Sequence, residues 1–156
     1  MSKLQIQAYQ TEVEKIIQYG GSRKETTIRV AFQKLLENYC ENKNFILIPE
    51  LDYRTKHNTT VYPDGTIKDA LRLPWGYWEN QDDNLDKEIQ LKFSKGYPND
   101  NILFEDSQTA VLIQSGVEIM RVSMANADKL DKLLTQFINY QRPEIKTFRQ
   151  AIEQFK

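Results

Sequence analysis

At 156 residues the chain is sized for one domain with a single sizeable core. Its 40% hydrophobic and 28% charged composition excludes general disorder, no apolar run approaches the ~20 residues of a membrane helix, and the polar start "MSKLQIQAYQTEVEK" excludes a secretory signal. The net charge of −1, from 21 basic and 22 acidic residues, lacks the basic excess of a free-standing DNA binder, so either nucleic acid is not the partner or most phosphate contacts come from elsewhere.

From Lys3 to Tyr19, the apolar residues Ile6, Tyr9, Val13, Ile16 and Ile17 form a helical stripe that Gly20-Gly21 ends. Ser22 and Glu25 have capping-box spacing at the start of a second helix. Its buried face is Ile28, Phe32, Leu35, Leu36 and Tyr39. Cys40, the single cysteine, continues that helical pattern and reads as a small packing residue. With one histidine in the chain there is no disulfide or zinc cluster to build, and a cytoplasmic location is the simple inference.

The period then changes. "FILI" is β-rich, and "TTVYPDGTIKDALRLPWGYWEN" holds three strand-like pieces separated by Pro63-Asp64-Gly65 and Pro74-Trp75-Gly76, both turn signals. Leu85 to Gly96 reads as a polar helix. "NILFED", "TAVLIQ" and "VEIMRVS" read as consecutive paired strands with turns at Asp106-Ser107 and Ser115-Gly116. A helix over Asn126–Tyr140 and another from Pro143 complete the order. The pattern predicts an α/β (α+β) domain with a central mixed β-sheet flanked by helices. Because the last helical pattern runs to Lys156 without a stop signal, residues 1–156 are expected to be one domain at the N-terminus of a longer protein.

One pairing carries possible chemistry. If Pro74-Trp75-Gly76 is a tight connection between antiparallel strands, Leu73 faces Tyr77, Leu71 faces Glu79 and Asp69 faces Gln81. Asp69 and Glu79 would then lie within roughly 5–8 Å of each other, close enough to share a divalent cation with Gln81 beside them. Two carboxylates with a carbonyl and waters suit Mg²⁺, and such an ion activates water toward a phosphodiester. The competing reading is a pair of solvated strand-end acids, and a one-residue slip in register would separate the set.

The segment Asp69–Gln114 resembles the N-terminal nuclease region of large adenine-specific restriction–modification enzymes, the type ISP-like group of the PD-(D/E)xK nuclease superfamily. The resemblance rests on Asp69, then "LPWGYWENQDD", "NLD", "KGYP", "NDNILFED" and "TAVLIQSG" in order, with early "GSRKETTIRVAFQKLLE" and late "RPEIKTFRQAIEQF". It implies a restriction-endonuclease-like fold, Asp69 and Glu79 as metal-binding carboxylates, and Glu25 as an additional acidic ligand beside its capping role. It also implies Mg²⁺ (Mn²⁺ possible) as cofactor and double-stranded DNA as partner. Methyltransferase and translocase domains would lie in the parent protein, with dimerisation for double-strand cutting. Gln81 stands where the resemblance calls for Lys. Its amide can orient a water but adds no charge, so an inactive nuclease fold kept for DNA docking or protein contact is the alternative. Pro63-Asp64 also spells the motif's first two letters, but Gly65 follows and the three read as a turn. Lys92 and Lys95 on the helix after the site, and Arg54 and Lys56 beside His57 in a loop, are candidate DNA contacts.

Overall fold

The computed structural model describes residues 2–19, 24–81 and 84–140. Helices α1 (Ser2–Tyr19) and α2 (Lys24–Glu41) are followed by strands β1 (Ile46–Pro49), β2 (Tyr53–Arg54), β3 (Thr60–Val61), β4 (Gly65–Lys68) and β5 (Pro74–Asn80). Helix α3 (Leu85–Ser94) leads to β6 (Asn101–Glu105), β7 (Thr109–Gln114) and β8 (Val117–Ser123), and α4 (Ala127–Ile138) closes the described part. The helix expected from Pro143 lies outside the described residues. Six strands form one sheet in the order β1-β4-β5-β6-β7-β8, while β2 and β3 pair as a separate hairpin. Every neighbouring pair in the large sheet is antiparallel except β5 and β6. Parallel neighbours need a long crossover, and α3 is that crossover.

Side-chain alternation splits the sheet into two unlike faces. Trp78, Leu103, Leu112 and Val122 face a core filled by Ile6 of α1, Phe32, Leu35 and Leu36 of α2, and Leu130, Leu133 and Phe137 of α4. Tyr77, Ile102, Phe104, Val111 and Ile113 face the other way, where, among the described residues, Leu85 and Ile89 of α3, with Tyr53 and Phe93, cover them. Cys40 is buried in the larger core, as a packing residue should be. Along α1 the stripe fades. Ile6 and Tyr9 are buried, whereas Ile17 points to solvent. Among the described residues no helix is long and apolar enough to cross a membrane.

A buried polar staple ties α4 to the sheet. Asn101 donates to the carbonyls of Trp75 (3.1 Å) and Phe137 (3.0 Å) and accepts from Gln114 Nε2 (3.0 Å). The indole of Trp75 reaches the Ile138 carbonyl at 2.9 Å. These bonds satisfy orphan carbonyls of the last helical turn that would otherwise be buried without donors.

The register of the β4–β5 hairpin differs from the sequence expectation. Gly65 pairs with Trp78, Thr66 with Tyr77 and Ile67 with Gly76. The reversal is made by Asp69–Leu73, not by Pro74-Trp75-Gly76. Asp69 N–H donates to the Leu73 carbonyl (3.0 Å), and its Oδ1 accepts from the N–H groups of Leu71 and Leu73, each at 2.9 Å. Arg72 takes the left-handed φ of 66° that the tight loop needs. An Asp side chain that captures nearby backbone donors is a strong turn former, and it outcompetes Pro-Trp-Gly. Pro74 is tolerated as the first residue of β5, next to an irregularity in the ladder at Ile67/Lys68.

Gly65 is likewise not a turn residue. It opens β4 and is buried, and a Cβ there would lie 2.7 Å from Leu47 Cδ1 and 2.8 Å from Trp78 Cε3. Only glycine lets the Leu47 and Trp78 side chains close over the backbone beside Asp64. Gly65→Ala should therefore lower stability by about 1–3 kcal/mol through overpacking, read as a lower urea midpoint in equilibrium unfolding.

Candidate active site

The β4–β5 register places Asp64, the residue before β4, across from Glu79 near the end of β5. Asp64 N–H donates to Glu79 Oε2 at 2.8 Å, and Asn80 N–H donates to Asp64 Oδ2 at 2.7 Å. Glu79 thus binds the Asp64 backbone and Asp64 the backbone of Asn80, the residue after Glu79, which brings the two carboxylates together at one end of the sheet. Asp69 is not part of this group. It lies five residues further along the chain at the hairpin tip, about 16 Å away at ~3.3 Å per extended residue, with Oδ1 engaged in its own turn. The sequence expectation thus named the wrong aspartate as neighbour of Glu79, because it assigned the reversal to the wrong residues.

Each carboxylate has a cation from a different side of the sheet. Arg29 of α2 reaches Asp64 Oδ1 at 2.8 Å, with Glu50 3.8 Å from the same guanidinium and the Trp78 ring 5.8 Å away. Lys92 of α3 lies 3.2 Å from Glu79 Oε1. That contact is an ion pair without an aligned hydrogen bond, so Oε1 is buried with no donor satisfying it among the described residues. Glu79 is 2% exposed. Burial first, then the charge of Asp64, pushes its carboxyl up to about 7, against the Asp64 N–H and Lys92. Burial opposes the Lys92 charge, but Glu79 outweighs it and the ammonium titrates above its ordinary value. Lys92 is further held by Tyr97, whose hydroxyl is 3.4 Å away and whose ring centroid is 4.8 Å away.

Gln81 follows the end of β5 on the same face as Glu79, buried, with its N–H donated to the Glu105 carbonyl at 2.8 Å. The backbone of Glu25 lies in α2, one helical turn before Arg29. Its side chain is outside the described residues. Among the described residues no group of three His, Cys, Asp or Glu side chains is placed to hold a metal. The donors that do converge are the oxygens of Asp64 and Glu79. Two hard carboxylates, one with a buried unsatisfied oxygen, fit a cation such as Mg²⁺ that takes oxygen ligands and keeps part of its water shell.

The other candidate cations gather on the α3 side. The β2–β3 hairpin packs on the end of α3, where Gly96 takes φ +93° and a Cβ would lie 2.7 Å from Thr55 Cβ and 3.1 Å from the His57 ring. That packing brings the 54–57 segment to the C-terminal end of the helix that carries Lys92 and is capped by Lys95. Lys56 and Lys95 are exposed. Arg54 is exposed too, but its guanidinium is engaged with Asn58 Oδ1, at 3.0 Å from Nε. Behind the site, on the larger-core side, Glu105 is fully buried. It accepts from Trp78 Nε1 (2.9 Å), Asn80 Nδ2 (2.8 Å) and Ser107 N–H (2.7 Å). Sequence reasoning missed Asp64, Arg29 and Glu105. Pro63-Asp64 was the available signal for the first, set aside because Pro, Asp and Gly together read as a turn.

No family model and no curated relative matches the chain. Among solved structures it is similar to a chain in the cryo-EM structure of the DrdV–DNA complex, with 44% identity and a TM-score of 0.91 over 98% of the present chain. The match covers 15% of that neighbour's length. The fold is restriction-endonuclease-like, a mixed sheet flanked by helices.

Burial pushes the Glu105 carboxyl up to about 7, while its three donors pull it down. The unfolded carboxyl titrates near ~4.3, so the folded state binds more protons between that value and about 7. The Glu105 contribution to stability is therefore greatest below the unfolded value and declines as pH rises through this window, by up to about 1.4 kcal/mol per pH unit. Glu105→Gln should flatten that slope. Urea unfolding of both proteins between pH 4.5 and 8, compared as a difference, measures it.

Proposed function

We propose that this domain is a Mg²⁺-dependent DNA endonuclease, with Mn²⁺ able to substitute, that hydrolyses phosphodiester bonds as the cutting module of a restriction–modification protein. The observation that carries the reading is the abutting Asp64–Glu79 pair at the end of β4 and β5. The likeness to a chain of the DrdV–DNA complex supports DNA as the substrate. The type ISP-like resemblance supports a parent protein that also contains methyltransferase and translocase domains. Under that reading the near-neutral domain is delivered to DNA by its neighbours, and pairing of two such domains would cut both strands.

Asp64 and Glu79 would hold the cation through the remaining lone pairs of their carboxylate oxygens, Glu79 Oε1 above all. When bound, the ion polarises the phosphodiester and lowers the pKa of an attacking water. The chain's own residues do the rest. Arg29 and the Asn80 N–H fix the Asp64 carboxylate, so that it meets a ligand without reorganising. Gln81, on the Glu79 face, can accept from and donate to a water there. Lys56 and Lys95 face solvent on the α3 side, where a phosphate backbone can approach.

Plasmid cleavage by the full-length protein with Mg²⁺ or Mn²⁺ tests the reading. Asp64→Ala and Glu79→Ala should each reduce cutting by at least ~10²-fold, whereas Asp69→Ala should cut nearly as wild type. Persistent activity in Glu79→Ala sinks the assignment. DNA binding without cleavage in either metal would favour a docking domain. Replacing Lys56 and Lys95 together by Ala should weaken DNA binding for all sequences alike and reduce the salt dependence, log K against log salt, by about 1–2, as read by fluorescence anisotropy at several salt concentrations.

A further inference from the structure

We propose that Lys92, delivered from α3, is the cationic catalytic residue of this site and fills the role that Gln81 leaves vacant. The inference rests on the nuclease reading. The resemblance puts a lysine two residues after Glu79, where this chain has a neutral amide. A positive charge beside the attacked phosphate offsets charge that develops in the transition state, and glutamine cannot supply it.

The fold brings a lysine to the same carboxylate by another route. The β5–α3–β6 crossover lays α3 on the face of the sheet that carries Tyr77 and Glu79, anchored there by Leu85 and Ile89. Lys92, three residues after Ile89, lies on the anchored side of the helix. Its ammonium stops 3.2 Å from Glu79 Oε1, with the side chain 20% exposed. Solvent therefore screens it less than a surface lysine such as Lys95. Among the described residues the polar neighbours of its ammonium are Glu79 and the Tyr97 hydroxyl at 3.4 Å, and with three N–H donors it keeps capacity for a phosphate oxygen or the attacking water.

In the hydrolysis the water oxygen bonds to phosphorus as the P–O bond to the leaving nucleoside oxygen breaks. The water's proton passes to solvent and the leaving oxygen takes a proton from solvent. Lys92 stays protonated throughout and opposes the charge on the non-bridging phosphate oxygen. Arg29 is the other cation at the carboxylate pair, but it reaches Asp64 from the opposite face and is already shared with Glu50.

The test compares single-turnover cleavage and DNA affinity in Ca²⁺ for the full-length wild type, Lys92→Met, Gln81→Lys, the double variant and Asp64→Ala. Lys92→Met should cut ~10²–10³-fold more slowly, with affinity held within about threefold, since at most one phosphate contact is at stake. Gln81→Lys in the Lys92→Met background should restore cutting to within about tenfold of wild type. Thermal unfolding of the variants confirms that they are folded. Near wild-type cutting by Lys92→Met overturns the proposal, as does a loss of cutting matched by an equal loss of affinity. So does a folded double variant that remains dead. Failure of the nuclease reading looks different: the wild type does not cut in Mg²⁺ or Mn²⁺, or Asp64→Ala still cuts, and the proposal falls with it.

Discussion

The antiparallel pairing of Gly65 with Trp78 sets the geometry on which the site depends, because it leaves Asp64 and Glu79 across from each other at the open end of two strands. Side chains in a strand alternate, so a slip of one residue would send one acid to the other face and leave the other alone. The register is held by packing. The backbone at Gly65 is covered by Leu47 and Trp78, and Trp78 in turn packs beside Phe32. The placement of two carboxylates is thus decided by apolar contacts one residue away from them.

Bringing like charges together out of water is unfavourable, and the structure shows how this is offset. The Asp64 and Asn80 N–H groups each donate to the opposite carboxylate, and a cation arrives from each side of the sheet, Arg29 from α2 and Lys92 from α3. The balance is incomplete at Glu79, whose Oε1 lacks an aligned donor and whose carboxyl is displaced up to about 7. A buried oxygen under-supplied with donors is a weak point for stability and an available ligand for a cation. Behind it, Trp78, Asn80 and Glu105 form a buried hydrogen-bonded cluster that stiffens the end of β5 from the larger core. One end of one strand is therefore held by a polar cluster on its back and left receptive on its front.

The elements themselves were legible. Among the described residues the four helices, the β-rich runs and the Asn126 cap appear where periodicity and capping place them, although the α1 stripe fades before Ile17. What the chain does not spell out is which residues turn between two strands. Pro63-Asp64-Gly65 and Pro74-Trp75-Gly76 both carry turn chemistry, yet Gly65 and Pro74 each begin a strand. Local propensity reads glycine as freedom, whereas at Gly65 the tertiary context uses it as an absence of volume. The actual reversal depends on one Asp side chain capturing two backbone donors. From that single misplacement followed the pairing of Glu79 with Asp69 rather than Asp64, whereas Glu79 lies on β5 and Gln81 just past its end. The "TTVY" piece reads as strand-like, as β3 is, but β2 at Tyr53–Arg54 reads as loop because two residues are too few to show alternation.

Whole-chain charge also gave an incomplete guide. A net charge of −1 argues against a protein that grips DNA unaided, but mobile ions screen exposed charges beyond ~8–10 Å, so a surface responds to the charges it gathers locally. Packing Gly96 against Thr55 and His57 puts the 54–57 segment beside the C-terminal end of α3, so that lysines nearly forty positions apart in sequence share one side of the domain. A near-neutral chain can in this way bring lysines that are distant in sequence to one side of the domain. The separation also loosens the demands on any one position. When the charge beside a carboxylate comes from a helix packed on the strand, the strand residue two places on is free to be an uncharged amide.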